Sequence, residues 1–283
     1  MSSSQKIQPN ILFFFPDQHR RDWTELTTKL PVKTPNLTKL ASTGIAFAHA
    51  ICPSPLCAPS RACLALGKEY DHVPVTSNQQ SCPIDSALLY KRLQDAGYHT
   101  MGCGKFDLNK PMRGWGRDGQ QMIKGVSYLK IWGFSDAIDN AGKPAGARNY
   151  LQRPDKPDPY LAYLETKGLA KTHMQDIRSR KPTDFHPSPL DDQDYADNWI
   201  ARNGLMLLSR APKEKPWFIQ VNFNGPHDPW DAPKSVLDHW QDVDFPAPND
   251  IRSPPKYPPK KMKGVWQNYR SEEHTSELQS PNT

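Results

Sequence analysis

Ile11-Leu12-Phe13-Phe14-Phe15-Pro16-Asp17-Gln18 decides the fold. Five apolar residues in a row, with polar residues before and proline after, read as a strand buried on both faces. That is the pattern of the centre of a parallel sheet. Open sheets of that kind place their ligands beyond the carboxyl ends of the strands, where Asp17 and Gln18 stand. Residues 217–223 form a second such run, Trp217-Phe218-Ile219-Gln220-Val221-Asn222-Phe223, and Asn224-Gly225-Pro226-His227-Asp228-Pro229-Trp230 follows it. Between them, residues 86–96 carry Leu89, Leu93 and Ala96 on one helical face and stop at Gly97. A strand over 98–102 then leads to Gly104-Lys105-Phe106-Asp107. Helical spacing over 192–209, through Ala196, Ile200, Asn203 and Leu207, completes an α/β pattern.

Outward from the first strand lies Cys57-Ala58-Pro59-Ser60-Arg61-Ala62-Cys63-Leu64-Ala65-Leu66-Gly67. A proline-rich turn (Pro53, Pro55, Pro59) delivers a cysteine to the start of an apolar helical run. Proline is tolerated in the first helical turn because its missing N–H would be unpaired there. Ser60 and Arg61 lie in or beside that turn, where free N–H groups and the helix dipole favour an anion. The planar fork of Arg61 suits a tetrahedral oxyanion. Together these residues look like a nucleophile facing a sulfate or phosphate ester. The plain alternative is a loop carrying a buried free thiol.

The stretch resembles the signature of the type I sulfatases, Cys-x-Pro-Ser-Arg-x-x-Leu-x-(Thr or Leu)-Gly, at every fixed position from Cys57 to Gly67. Further resemblances run from Ile11 to about Pro233. Thr34-Pro35-Asn36-Leu37 through Gly44 and Phe47 resembles the family's short helix, glycine stop and edge strand. The resemblance implies an alkaline phosphatase-like α/β fold, a mostly parallel sheet with helices on both faces, whose C-terminal part is missing here. It implies that Cys57 is oxidised to Cα-formylglycine by a maturation enzyme. Asp17 would bind a divalent cation, commonly calcium, with Gln18 and the modified Cys57 beside it. The Asp17-Gln18 pair also occurs in choline-sulfatase-like enzymes and phosphonate monoester hydrolases.

The same resemblance casts Lys105 as the bridge between sulfate and residue 57. The family's next histidine is replaced by Asp107, a carboxylate of lower pKa that could serve as general base. His227, inside Pro226-His227-Asp228-Pro229, would contact the sulfate and help the alcohol oxygen leave, and Ser60 would contact substrate. Cys57, Arg61, Lys105, Asp107 and His227 thus form the expected catalytic set. Each has a plainer reading, as a cap, a surface lysine or a structural histidine. The reaction implied is hydrolysis of a small sulfate monoester to an alcohol and sulfate. The rivals are a phosphonate monoester or phosphodiester hydrolase on the same fold, and a non-catalytic anion-binding protein in which Cys57 remains a thiol.

Composition fits this reading without deciding it. The chain has 283 residues, 36% hydrophobic and 23% charged, at net charge +6, enough for one large α/β domain or two small ones. Basic residues are scattered, without the aromatic interleaving that tracks nucleic acid. Five cysteines are an odd number without metal-finger spacing, which argues against a disulfide framework. No apolar signal core or membrane-spanning stretch stands out, so the simplest placement is the cytoplasm, with no nucleic-acid or membrane partner. Residues 114–189 read as loop-rich, a substrate-facing insertion or lid.

Residues 270–280, Arg270 to Ser280, resemble a translated sequencing adapter, and residues 270–283 are set apart as a non-native tail from the catalytic domain, taken as residues 1–269. That tail carries one arginine and three glutamates, so the rest of the chain stands at +8. The natural protein is then expected to continue differently after Tyr269. Family members take further metal ligands from a C-terminal strand that these 283 residues lack. The chain as written is therefore expected to bind calcium weakly and to be inactive or poorly folded.

Overall fold

Four strands, Ile11–Phe15, Trp217–Asn222, His99–Gly104 and Asp136–Asp139, pair side by side in that order, all parallel. The computed structural model describes residues 8–27, 29–181 and 186–246; the adapter-like tail lies outside them. In chain order the described elements are β1 (Ile11–Phe15), α1 (Pro35–Ser42), α2 (Cys57–Leu66), α3 (Leu89–Asp95) and β2 (His99–Gly104). A two-stranded hairpin, β3 (Met122–Ile123) and β4 (Val126–Ser127), precedes α4 (Tyr128–Trp132) and β5 (Asp136–Asp139). Then come α5 (Lys143–Gln152), α6 (Pro159–Thr166), α7 (Ala170–Ser179), α8 (Ala196–Ser209), β6 (Trp217–Asn222) and α9 (Lys234–Trp240). None of the described helices is long and apolar enough to cross a membrane.

Alternation along the central strands sorts side chains between two cores. Phe218 of β6 and Ala137 of β5 join Ala58, Ala62 and Ala65 of α2, Tyr90 of α3 and Trp132 of α4 on one face. Ile219 and Val221 of β6 and Met101 and Cys103 of β2 meet α5 to α8 on the other, through Leu161, Leu164, Ile200 and Leu207. Helices therefore cover both faces, as the resemblance implies. Glycine is required at the end of β2. Gly104 has φ +95°, and a Cβ there would lie 1.9 Å from the Asn222 carbonyl oxygen. Only a residue without a side chain lets the two strand ends approach so closely.

Three expectations are corrected. The first strand is not central among the described residues: β1 ends the sheet, and Leu12 and Phe14 are 46% and 55% exposed. An unbroken apolar run reports apolar surface on both sides, not that both sides are covered. No edge strand forms near Phe47, which is exposed in an irregular stretch. Residues 114–189 are more than a loop-rich insertion. They supply β5 and α4 to α7, among them the buried Leu161, Leu164 and Trp132. Their helices are short and interrupted by proline and glycine, which hides the periodicity.

Asp139 closes β5 inside the protein, accepting from Phe106 N–H (3.1 Å) and Gln121 Nε2 (2.8 Å). Burial pushes its carboxyl up to about 8, outweighing those two bonds. The folded state holds its proton more tightly than the unfolded chain, so this group favours folding below the ordinary carboxylate range. That contribution disappears as pH rises through about 8. Asp139→Asn should therefore flatten the pH dependence of the urea midpoint. It should exceed wild type near pH ~9 and lose that advantage toward pH ~4; a constant offset between the two curves would refute the account.

Candidate active site

Strand register brings the site together. Phe15 and Gly104 both pair with Asn222, from opposite sides. Asp17 follows two residues after Phe15, Lys105 one after Gly104, and His227 five after Asn222. Backbone bonds fix the edge: Lys105 N–H donates to the Asn222 carbonyl, Phe223 N–H to Phe15 and Asp17 N–H to Gly225, each at 3.0 Å. Cys57 opens α2. The result is a cavity of about 370 Å³ whose wall includes Cys57, Lys105, Asn224 and His227.

Lys105 is the hub. Its ammonium bonds the Asp17 carboxylate, lies 3.4 Å from Cys57 Sγ and 3.5 Å from Asp107, and is 2% exposed as a residue. Burial alone would lower its pKa, but Asp107 and Asp17 raise it above the ordinary value, so it stays charged. Burial would likewise raise the Asp17 carboxyl. Lys105 and Arg61, the latter at 3.4 Å, hold it below the usual range instead. The Cys57 thiol is depressed against its own burial by a hydrogen bond to His227 and by the Lys105 charge. His227 is raised chiefly by the Cys57 bond. Its Nδ1 lies 2.7 Å from the Asp228 carbonyl oxygen, which can only accept, so that nitrogen carries a proton.

The other expected residues sit differently. Arg61 is buried off the cavity wall; its guanidinium bonds the Lys105 carbonyl, reaches Asn222 Oδ1 (3.4 Å) and lies over the Phe15 ring. It braces Asp17 and Lys105. The Ser60 hydroxyl lies 3.1 Å from Cys52 Sγ and is not on the wall. Nor are the N–H groups of that helical turn free: Ala58 donates to Asn78 Oδ1 (2.9 Å) and Ser60 to the Leu56 carbonyl (3.0 Å). Asp107 is 1% exposed, at φ +53°, and bonds Lys110 at 3.1 Å. Against the effect of burial, Lys105 and Lys110 hold it below the ordinary range. That makes it a counter-ion, poorly suited to take a proton. Gln18, at φ +65°, turns into a neighbouring cavity with His19 and Trp23.

Ligating atoms of Asp17, Cys57 and His227 lie within 4.8 Å of one another, a group that could hold a metal ion. Calcium fits it poorly. That ion takes six to eight oxygens, and this group offers a single carboxylate, already matched by two cations. Asp197 and Asn224 were not apparent from the sequence. The Asp197 carboxylate accepts from Asn224 N–H (2.7 Å) and Gly225 N–H (3.0 Å), tying the His227 loop to the start of α8. Its position early in a helix, ahead of a strand-end glycine, was the available signal.

A parallel sheet covered by helices on both faces is the alkaline phosphatase-like α/β architecture. The chain belongs to the sulfatase family: the Sulfatase family model matches residues 9–262. It is 25% identical over 274 residues to an arylsulfatase of Clostridium perfringens, covering 95% of this chain and 51% of that protein. It superposes on the phosphonate monoester hydrolase of Agrobacterium radiobacter with a TM-score of 0.63 at 22% identity, over 85% and 45% of the two chains. A structure described as BT4656 in complex with its substrate D-glucosamine-2-N,6-O-disulfate superposes with a TM-score of 0.57 at 22% identity, over 86% and 40%. The chain spans about half or less of the length of the curated relatives it matches.

The coupling of Cys57 to His227 and Lys105 can be read without substrate. With Cys57 as a thiol, its alkylation by iodoacetamide should reach half-maximal rate below the pH of about 8.5 typical of a free cysteine. His227→Ala or Lys105→Met leaves burial to dominate and should move that midpoint up. Asp197→Ala, which frees the His227 loop, should move it the same way by less. An unmoved midpoint in His227→Ala would show that the hydrogen bond does not set the thiol.

Proposed function

We propose that this chain carries the catalytic centre of a hydrolase that cleaves a sulfate monoester to an alcohol and sulfate. One observation carries the reading: Cys57, Lys105 and His227 face one cavity, with the Asp17 carboxylate held against Lys105. Cys57 lies at the surface of that cavity and next to charged groups, so its oxidation to formylglycine by a maturation enzyme fits the site. Hydrated, that group supplies an oxygen nucleophile and a second hydroxyl through which sulfate can be released. The remaining chemistry falls to side chains in place. Lys105, kept charged by two carboxylates, receives the sulfate oxygens. Arg61 holds Asp17 and the Lys105 backbone in register. Asp107 balances Lys105 and Lys110. As the bond between sulfur and the alcohol oxygen breaks, its electron pair leaves with that oxygen, and His227 supplies the proton.

No step is assigned to calcium, because Asp17, Cys57 and His227 together offer it a single carboxylate. A phosphonate monoester is the nearest competing substrate. The same lysine-bearing cavity suits either tetrahedral anion, and Asp17-Gln18 is compatible with both.

Protein co-produced with a maturation enzyme should show formylglycine at position 57 by peptide mass spectrometry. What turnover it shows should favour 4-nitrophenyl sulfate over an aryl phosphonate monoester. Cys57→Ala should abolish turnover, and Lys105→Ala should reduce kcat/KM by about 10²–10³-fold, as for loss of one charge-stabilising group. Dominant phosphonate turnover would replace the sulfate assignment. A thiol that persists at Cys57 would favour an anion-binding role without catalysis.

A further inference from the structure

The cavity around Cys57 carries more positive charge than one sulfate needs, and the excess lies at its outer end. Five cationic side chains line the wall. Three have carboxylate partners of their own: Lys105 has Asp17 and Asp107, Lys110 has Asp107, and Lys143 has the buried Asp231. Arg113 and Arg148 have none among the described residues. The Arg113 guanidinium bonds only the neutral Gln152 side-chain oxygen. Gln152 lies four residues after Arg148 on α5, so the two share one helix face, and Arg113 and Arg148 are brought to the same wall. Two guanidinium groups held near each other without a carboxylate repel. Asp228, the acid on the wall, is engaged 3.0 Å from His227 Nδ1.

Two more features of the same cavity bear on its ligand, and both lie deeper than Arg148: Gly142 packs against the Lys105 side chain, and Asn224 is buried. Residues 142–145, at the start of α5, line the same cavity, so the positive end of that helix faces it. Asn224 is also on the wall and 2% exposed, and neither its amide nitrogen nor its oxygen has a partner. A buried amide left unpaired is costly unless something bonds it. Donor and acceptor side by side suit a hydroxyl group. Exposure orders the cavity: Lys105 is buried, Cys57 and Arg113 are half-buried, and Arg148 is exposed. Arg148 lies five residues, about 7.5 Å, along the helix axis from Lys143.

We infer that the cavity holds a second anion subsite, made by Arg113 and Arg148. The sulfate ester it takes is that of a hydroxyl-bearing alcohol carrying a further anionic group, a second sulfate or a carboxylate. This rests on the sulfatase reading for the inner end; the outer subsite is tested by binding alone.

Cys57→Ala protein, which cannot turn substrate over, is titrated calorimetrically with glucose monosulfate and with glucose disulfate at two salt concentrations. The disulfate should bind about tenfold more tightly at low salt, with the advantage shrinking as salt screens the rim. Arg148→Gln changes an exposed helix position and leaves the fold intact. It should cut the ratio of the two affinities by about threefold or more, the double change with Arg113→Gln should cut it further, and Arg148→Lys should restore part of it. Equal affinity for the two sugars, or a ratio that neither arginine change alters, overturns the subsite. Absence of formylglycine at position 57 in protein co-produced with the maturation enzyme would count against the sulfatase reading. The affinity ratio would still decide the subsite.

Discussion

The charge pair between Lys105 and Asp17 is the constraint on which the site depends. Both groups are nearly dry, at 3% and 11% side-chain exposure. Opposite charges removed from water are tolerated only when each is closely met, and deleting one partner of a buried pair typically costs about 3–5 kcal/mol. That cost fixes the neighbours. Arg61 must stay beside Asp17, Asp107 must balance Lys105, and Lys110 must balance Asp107. The chain of alternating charges ends at the cavity, where Lys105 and His227 both face Cys57. A lysine that is both buried and still charged is a strong anion receptor, because no water competes for its protons.

The sheet exists to hold that pair. Asn222 is hydrogen-bonded through its side chain to Gln220, Arg61 and the Cys103 carbonyl, and its backbone carbonyl receives Lys105 N–H. It therefore joins β6, β2 and α2 at the level where the chemistry begins. A polar residue at the end of an otherwise apolar central strand is expensive unless fully bonded. Here its bonds set the register that a one-residue slip would destroy. Gly104 is the matching requirement on β2, since any side chain there would push the strand ends apart.

Much of this was legible along the chain. Asp17, Lys105 and His227 each follow a strand-like run, and Cys57 opens a helix, so residue type and place agree. What stayed hidden depends on neighbours remote in sequence. Asp107 reads as a base until Lys105 and Lys110 are seen to hold its proton affinity down. Ser60 and the N–H groups beside it read as an anion cradle until Asn78, Leu56 and Cys52 are seen to occupy them. Asp139 and Asp197 look like ordinary loop and helix acids, and burial alone changes their character. The helices of residues 114–189 escape because proline and glycine break their pattern, although their tertiary packing is extensive.

His227 and Lys143 belong to two walls at once. On one side is the polar cavity of Cys57; on the other is a larger hollow of about 610 Å³ bounded by Trp23, Tyr195, Trp230 and Leu237. His227 and Lys143 thus form the partition between a wet compartment and a greasy one. A planar apolar guest settling against those indoles would press on the imidazole to which we assign the proton transfer, from the side away from Cys57.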